Sequence, residues 1–338
     1  MKCHLKIIVF SFLISGIFSG SFAGKYGADF LRIAVGARPA AMGGAFTALA
    51  DDATSFYWNP SGLTKVGYAS LHFDHVPIFD GLAQYNAASL NIGLDAKTAL
   101  GIGWVRLGVD NIPRYGALQG TRLDRLTSAH YRSTGEPLGF FSDSEDAIFV
   151  SFGRKDYFEW SVGPGFNKIF VPMEFSFGMT GKYILHQLDD KKGTGQGLDV
   201  GIRARIFDDV LTDEQKQSWI SFGFMARDLS RTAIMWNTAS RHKDVVEPSF
   251  ILGSALSHCI SAWNTRVTVT CDKEAGFYDE WRYGGEIQLF RTLSLRGGYA
   301  NSHFSAGAGL DFEFFRVDYA FVSNDLAHTH RVSGGFSF

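Results

Sequence analysis

The sequence of 338 residues is poor in proline and cysteine and carries almost no net charge. It contains 8 Pro and 3 Cys, and 32 Lys and Arg nearly balance 34 Asp and Glu, which leaves a formal net charge of -2. A chain without a basic excess is not suited to bind nucleic acid. After residue 23 there is no apolar run of roughly 20 residues, the length that a membrane-spanning helix requires. These absences argue against a nucleic-acid-binding protein and against a helical membrane protein.

Glycine and aromatic residues, in contrast, are abundant. The chain has 38 Gly, 31 Phe, 12 Tyr and 7 Trp, and its mean hydropathy is -0.01. Aromatic residues favour half-buried strands. The composition therefore indicates a chain of strands that each have one apolar and one polar face.

The first residues have the pattern of an export signal. Lys2 and Lys6 precede an apolar run from Ile7 to Phe18, and small residues follow at Ser21 and Ala23. This order of a positive region, a short apolar region and a small-residue cleavage site is typical of a secretory signal peptide. We expect residues 1–23 to be removed during export.

From about residue 66 the apolar residues recur with period two, which is the pattern of β-strands. In one segment Leu198, Val200, Ile202, Ala204 and Ile206 share one face, and Asp199, Gly201, Arg203 and Arg205 share the other. A soluble β-sandwich would also alternate in this way. A membrane barrel is favoured because the strands are about ten residues long, as a tilted spanning strand requires, and because the polar faces are rich in Gly. The chain also ends on the aromatic residue Phe338 in its last strand. The predicted fold is an all-β, transmembrane antiparallel β-barrel over residues 66–338.

The alternating segments predict about fourteen strands. Their centres lie near Leu71, Ser89, Gly103, Val150, Gly181, Gly201, Phe222, Leu252, Val267, Glu286, Arg296, Gly307, Asp318 and Ser333. An even number closes the barrel with both termini in the periplasm. Residues 109–144 form the longest predicted loop, which we expect to fold over the extracellular mouth and to contact a ligand or partner. Residues 156–172 could hide one more strand.

Two predictions concern single side chains on this barrel. Cys259 and Cys271 fall at opposite ends of neighbouring strands and on opposite faces, so we expect two free thiols. Outward aromatic residues are candidates for the interfacial belts of a membrane protein, and these are Trp104, Tyr283, Tyr299 and Tyr319.

Residues 24–65 do not alternate and form a separate N-terminal segment. Arg38-Pro39 followed by Ala40 to Leu49 predicts a short helix, which Asp51-Asp52 break before a second helix or turn that runs to Trp58. Asn59-Pro60 is a turn signal. The segment resembles the start of the PorV/PorQ family of outer-membrane proteins, which is similar to the FadL-like superfamily. The residues that carry the resemblance are Gly36, Arg38, Met42, Gly43, Gly44, Ala45, Ala50, Asp51, Asp52, Ser55, Trp58, Asn59, Pro60, Gly62 and Leu63.

The resemblance implies a barrel whose N-terminal segment folds inside it as a helical plug, or hatch. It implies an outer-membrane protein of a Gram-negative bacterium. The sequence has no nucleophile-elbow motif and no Cys or carboxylate set for a tetrahedral metal site, so we expect no enzyme activity, cofactor or metal. The first reading is a binding and assembly component of type IX protein secretion or surface anchoring, with secretion subunits or secreted cargo as partners. The alternative is a channel for uptake of hydrophobic small molecules. Both readings place the barrel in outer-membrane lipid.

Charged residues on the polar faces suggest how a plug would be held. The predicted lumen set contains both signs: Asp199, Arg203, Arg205, Arg282, Glu286, Arg296, Asp311, Glu313, Arg316, Asp318 and Arg331. A mixed set favours an internal salt-bridge network, because buried charges must pair, and Arg38, Asp51 and Asp52 are natural partners from the plug. The alternative is that Arg203, Arg205 and Arg296 clamp a carboxylate. The candidate ligand or plug-contact residues are Arg38, Asp51, Asp52, Asn59, Arg203, Arg205 and Arg296.

Overall fold

The computed structural model describes residues 28–338 except 66, 132–134, 164–168, 209–217, 277 and 326. The predicted signal peptide lies outside the described residues. No helix in the described part is long and apolar enough to cross a membrane.

Sixteen strands account for most of the described chain. They are β1 Ala69–Ile78, β2 Ala83–Gly93, β3 Thr98–Arg114, β4 Gly139–Val162, β5 Ile169–Leu188, β6 Lys191–Phe207, β7 Trp219–Arg227, β8 Ala233–Trp236, β9 Lys243–Val245, β10 Ser249–Ile260, β11 Thr265–Gly276, β12 Glu280–Leu289, β13 Leu293–Ala300, β14 His303–Asp311, β15 Phe315–Val322 and β16 Thr329–Ser337.

Fourteen of these strands form a closed antiparallel barrel. Each pairs with its neighbour in the chain, β7 pairs with β10, and the wall closes where β1 pairs with β16. Each of the fourteen predicted strand centres lies on a different strand of the wall, so the fold class and the strand number are confirmed. The short hairpin of β8 and β9, which the sequence did not predict, pairs with residues near the start of β6 and is not one of the fourteen wall strands.

The wall has an apolar outer face and a polar inner face. On β4 the outward residues Ile148 and Val150 are exposed, and the inward residues Phe149 and Ser151 are buried. Outward acidic residues limit this apolar band, since Asp146 accepts a hydrogen bond from Trp104 and Asp156 pairs with Lys97. Asp146 and Asp156 are ten residues apart, about 33 Å along a strand and about 25 Å across a wall tilted by about 40°. The band therefore matches the hydrocarbon thickness of an outer membrane.

Two connections differ from the sequence prediction. The loop after β3 is shorter than residues 109–144, because β3 extends to Arg114 and β4 begins at Gly139. It carries the short helix α3, Arg122–Thr127, whose N-terminus is capped by Thr121 and Asp124. Residues 156–172 hide no additional strand among those described; instead β4 and β5 continue into this region as one long hairpin.

Cys259 and Cys271, the cysteines of the described residues, are both free thiols, as expected. Cys259 lies opposite Arg266, and Cys271 lies opposite Ser254, so five residues separate their levels on β11. The tyrosines proposed for the interfacial belts, Tyr283, Tyr299 and Tyr319, have exposed side chains on the outer face.

The N-terminal segment, residues 28–65, contains only short helices. Helix α1 spans Ala37–Ala41 and helix α2 spans Ser55–Trp58. The predicted helix from Ala40 to Leu49 is wrong, because Gly43 and Gly44 adopt positive φ angles of 64° and 72° and end α1 early. Phe46, Phe56 and Trp58 from this segment are almost fully buried and belong to a hydrophobic core that also contains wall residues such as Tyr85 and Phe149.

Candidate functional site

The N-terminal segment contacts inward-facing glycines around the barrel. A methyl group at Gly103 would collide with the Phe56 ring, and one at Gly201 would collide with the Asn59 side chain. Across the barrel, a methyl group at Gly223 would lie 2.6 Å from the Thr47 carbonyl oxygen, and one at Gly298 would collide with Gly43. A segment that touches strands on opposite sides lies inside the ring. The Gly-rich inner faces therefore allow close backbone approach in a crowded lumen.

Arg38 joins the segment to the wall at the centre of an ion network. Its Nε and Nη2 atoms each donate to Glu286 at 2.9 Å, and Nη1 donates to Asp51 at 2.5 Å and to Asp52 at 3.3 Å. Burial would lower the pKa of Arg38, but Asp51 and Glu286 raise it above its ordinary value. Burial would raise the pKa of Asp52, but Arg38 and the Thr54 hydroxyl lower it. Arg38 and Asp52 therefore both stay ionised.

The network continues along the wall through β12, β13 and β15. Arg296 donates to Glu286 at 2.6 Å and to Asp318 at 2.7 Å. Arg316 in turn pairs with Asp311 at 2.8 Å and with Asp318 at 3.2 Å. Four of the seven candidate residues, Arg38, Asp51, Asp52 and Arg296, thus belong to one connected set of charges. Glu313, in contrast, is exposed in a turn, so its prediction as a lumen residue is wrong.

Arg203 and Arg205 hold the other side of the segment through its backbone. Arg203 donates to the carbonyl oxygens of Leu49 at 3.1 Å and Ala50 at 2.7 Å. Arg205 donates to the Leu49 carbonyl oxygen at 3.5 Å, and its guanidinium lies 4.0 Å from the centre of the Trp219 ring. These arginines therefore contact carbonyl groups of the chain itself.

Lys65 and Glu174 form a buried pair beside these arginines. The Lys65 Nζ atom lies 2.7 Å from Glu174, and Arg203 lies 3.5 Å from the same carboxylate. Burial, followed by repulsion from Arg205, lowers the pKa of Lys65 to about 8. Three cationic groups thus surround one carboxylate at this position.

Asn59 fixes the turn at the end of the segment. Its side-chain amide donates to the carbonyl oxygens of Thr47 at 2.8 Å and Ile202 at 3.3 Å. Its side-chain oxygen accepts from the backbone N–H of Ser61 at 3.1 Å and from the Ser61 hydroxyl at 2.7 Å. Four side-chain hydrogen bonds of Asn59 therefore stabilise the turn that the sequence predicted.

Several residues that hold the segment were not among the candidates. The Asp272 carboxylate accepts from the backbone N–H groups of Phe46 at 3.0 Å and Thr47 at 2.9 Å. Glu174 binds Lys65, and Arg227 stacks near Tyr57 with 5.1 Å between the guanidinium and the ring centre. Asp272, Glu174 and Arg227 all lie at inward positions of alternating strands, so strand parity carries a signal that could have found them.

A cavity of about 550 Å³ lies between the segment and the strands β12 to β16. Its lining combines apolar, cationic and acidic side chains, among them Ile33, Ala34, Ala40, Tyr57, Trp58, Ile78, Ala300 and Val322 with Arg32, Arg227, Arg282, Arg331, Glu280 and Asp325. Glu280 pairs with Arg32 and Arg282. Buried nitrogen atoms of Arg227 (Nη2) and Arg331 (Nε) have no hydrogen-bond partner among the described residues. The cavity therefore combines apolar surface with charged side chains.

The long loop after β3 does not contribute to this cavity. None of the described residues in 109–144 lines it, and none of the residues of α3 is buried. The expectation that this loop folds over the extracellular mouth and contacts a ligand or partner stays a prediction.

The chain has distant structural similarity to solved outer-membrane channels and porins. No protein-family model and no curated protein sequence matches the chain. The toluene transporter TodX of Pseudomonas putida is similar in structure at 12% identity, with a TM-score of 0.41 over 89% of this chain and 96% of TodX. The monoaromatic hydrocarbon channel CymD matches at 13% identity, with a TM-score of 0.40 over 90% of this chain and 97% of CymD. The KdgM porin matches at 9% identity, with a TM-score of 0.32 over 80% of this chain and 99% of KdgM.

At TM-scores this low, the similarities support no functional assignment. The fold is defined instead by the closed pairing of the chain's own strands. The resemblance to the PorV/PorQ family remains a prediction from the motif residues.

Proposed function

We propose that this protein is an outer-membrane channel for small hydrophobic molecules, in which the N-terminal segment acts as the plug. The observation that carries the proposal is the cavity between the segment and the wall. Concave sites lined by apolar and aromatic groups with a few polar atoms are typical of small-molecule binding. The barrel's apolar outer band supports a location in the outer membrane of a Gram-negative bacterium.

The cavity favours molecules with an apolar body and a polar end. Tyr57 and Trp58 offer aromatic surface, and the guanidinium groups of Arg227 and Arg331 offer donors. A carboxylate would form charge-assisted hydrogen bonds with these donors. Bound molecules would lie against the segment, so that movement of the segment would be coupled to their passage.

Filling the cavity tests this proposal. Ala300 lines the cavity, whereas Ala306 lies on the outer face of the neighbouring strand. We expect Ala300→Trp to weaken binding of a fluorescent aromatic carboxylate by about tenfold or more, because the indole occupies the ligand's volume. Ala306→Trp is the matched control and should bind normally. Equal binding by both variants, measured by fluorescence titration in detergent, would contradict the proposal.

The second candidate function is a binding and assembly role in protein secretion. The N-terminal motif favours it, because this motif carries the resemblance to the PorV/PorQ family. Affinity purification of the tagged protein from outer membranes distinguishes the two functions. Secretion subunits or secreted cargo in stoichiometric amounts would support assembly. Their absence, together with ligand binding lost in Ala300→Trp, would support the channel.

A further inference from the structure

The hairpin of β4 and β5 extends beyond the rest of the barrel at the end where the chain terminates. The last residue pair between β3 and β4 is Thr98 with Arg154, and the last between β5 and β6 is Met173 with Ile206. The two strands nevertheless remain paired with each other as far as Val162 and Ile169. We call residues 157–162 and 169–172 the β4–β5 ribbon.

A charged rim separates the ribbon from the apolar band. Lys97 contacts Asp156 at 2.6 Å, and Arg154 lies 3.7 Å from the same carboxylate. All three side chains are close to half exposed. Charged groups of this kind mark the limit of the hydrocarbon. Trp160 lies four residues farther along β4, about 13 Å beyond the rim along the strand. In the proposed orientation the ribbon therefore projects into the periplasm.

The ribbon nevertheless exposes large apolar side chains. Phe158 and Trp160 lie on the face that continues the outer surface of β4, and they are 47% and 61% exposed. Val171 and Met173 lie opposite them on β5. On the other face Phe170 is 61% exposed. A cluster of this kind in water is typical of an interaction surface.

The edge of β4 is also open for backbone pairing. The Lys155 N–H donates to the Lys97 carbonyl oxygen at 2.8 Å, so odd-numbered residues of β4 direct their backbone groups toward β3. The backbone groups of Glu159 and Ser161 therefore point to the position that β3 would occupy if it continued. No described strand pairs with them there. The hydrogen bonds between β3 and β4 thus stop because β3 ends. Strand β4 itself continues, and its odd-numbered residues still direct their backbone groups toward that side.

The opposite edge is less suited to pairing. Pro172 lies opposite Glu159, so its backbone nitrogen points away from β4. Because proline has no N–H, it removes a donor from the β5 edge at the position where the β5–β6 ladder ends. The β4 edge contains no proline between residues 156 and 162.

We propose that the β4 edge of the ribbon binds an extended segment of a periplasmic protein, which adds as a strand and continues the β3–β4 ladder. Its backbone pairs with Glu159 and Ser161, and its apolar side chains cover Phe158 and Trp160. This is recognition by strand addition, in which backbone groups supply affinity and alternate side chains supply specificity. Lipid headgroups alone cannot provide the paired backbone. This proposal is independent of the ligand that the cavity accepts.

A photoreactive benzoylphenylalanine at position 160 tests the proposal in living cells. We expect a discrete adduct with a second protein in the otherwise unchanged chain. Glu159→Pro should reduce its yield by about tenfold, because the substitution removes one outward N–H and places a ring against the added strand. Glu159→Ala keeps the N–H and should give the normal yield. Ser161→Pro should repeat the effect at a second position.

Barrel assembly is checked in each variant by the gel-mobility shift on boiling. Glu159 takes no part in the backbone bonds to β5, so the proline variant should assemble. An adduct at twice the mass of the chain would identify a second copy and overturn the proposal. An adduct that Glu159→Pro and Ser161→Pro leave unchanged, or no protein adduct at all, would overturn it as well.

Discussion

At the scale of single residues, Arg38 has the largest role in joining the segment to the wall. It contacts two acidic residues of the segment and Glu286 of β12 at the same time. We expect Arg38→Met to destabilise the assembled barrel by about 3–5 kcal/mol, because it leaves Glu286 buried with one partner fewer. The measurement is the midpoint of urea unfolding in lipid vesicles. Arg122→Met, at an exposed position of α3, is the control. An unchanged midpoint in Arg38→Met would show that the network contributes nothing.

A glycine pair on β13 tests the close approach of the segment. Gly298 faces inward against Gly43, and Gly297 beside it faces outward with no atom closer than 4.0 Å to an added methyl group. We expect Gly298→Ala to displace the segment and to increase proteolysis of residues 28–65, because the methyl group cannot be accommodated. Gly297→Ala should digest like the unchanged protein. Mass spectrometry of the fragments measures the difference, and equal digestion would contradict the arrangement.

The sequence could predict which face of a strand a residue occupies, but it could not predict the residue's contact partner. The parity of Arg203, Arg205 and Arg296 places them inside the barrel, and the structure has them there. Their partners could not be read in this way, since Arg203 binds backbone carbonyl groups of a segment about 150 residues away in the sequence. Period-two alternation defines a face, but it does not define which residue lies opposite across the lumen.

At the scale of secondary-structure elements, the strands were predictable, and so was the second helix, which ends at Trp58. The first helix was predicted too far along the chain. Alternation over ten residues defines each strand of the wall. The stretch from Ala40 to Leu49 has the composition of a helix, but Gly43 and Gly44 turn the chain so that its backbone can lie against β12 and β13. Tertiary packing thus overrides local propensity in the segment that has no alternation to guide it.

The loop after β3 gives a prediction at this scale. Because its described residues do not line the cavity, we expect deletion of residues 116–135 to leave ligand binding within about twofold of the unchanged protein. Barrel assembly should also be retained, since α3 has no buried residue. The same fluorescence titration provides the comparison. A loss of tenfold or more would place the loop in the binding path.

At the scale of the whole molecule, the fold follows from the different environments of the two faces of each strand. The apolar faces are suited to lipid, and the N-terminal segment lies between the polar faces. The sequence predicted the barrel because both faces alternate along every strand. It did not predict the cavity, whose walls come from the segment and from strands that meet only after the barrel closes.

Strand β10 permits a direct test of this arrangement. Leu252 and Leu256 face outward, and Ala255 and Ser257 face inward and are almost fully buried. Spin labels are attached at single cysteines introduced at these positions after Cys259 and Cys271 are replaced by serine. Collision rates with oxygen, which concentrates in lipid, and with a water-soluble nickel complex are then measured in vesicles. We predict frequent oxygen collisions at Leu252 and Leu256, and few collisions with either reagent at Ala255 and Ser257. Frequent nickel collisions at the inward positions would reveal an open, water-filled lumen and would contradict the account.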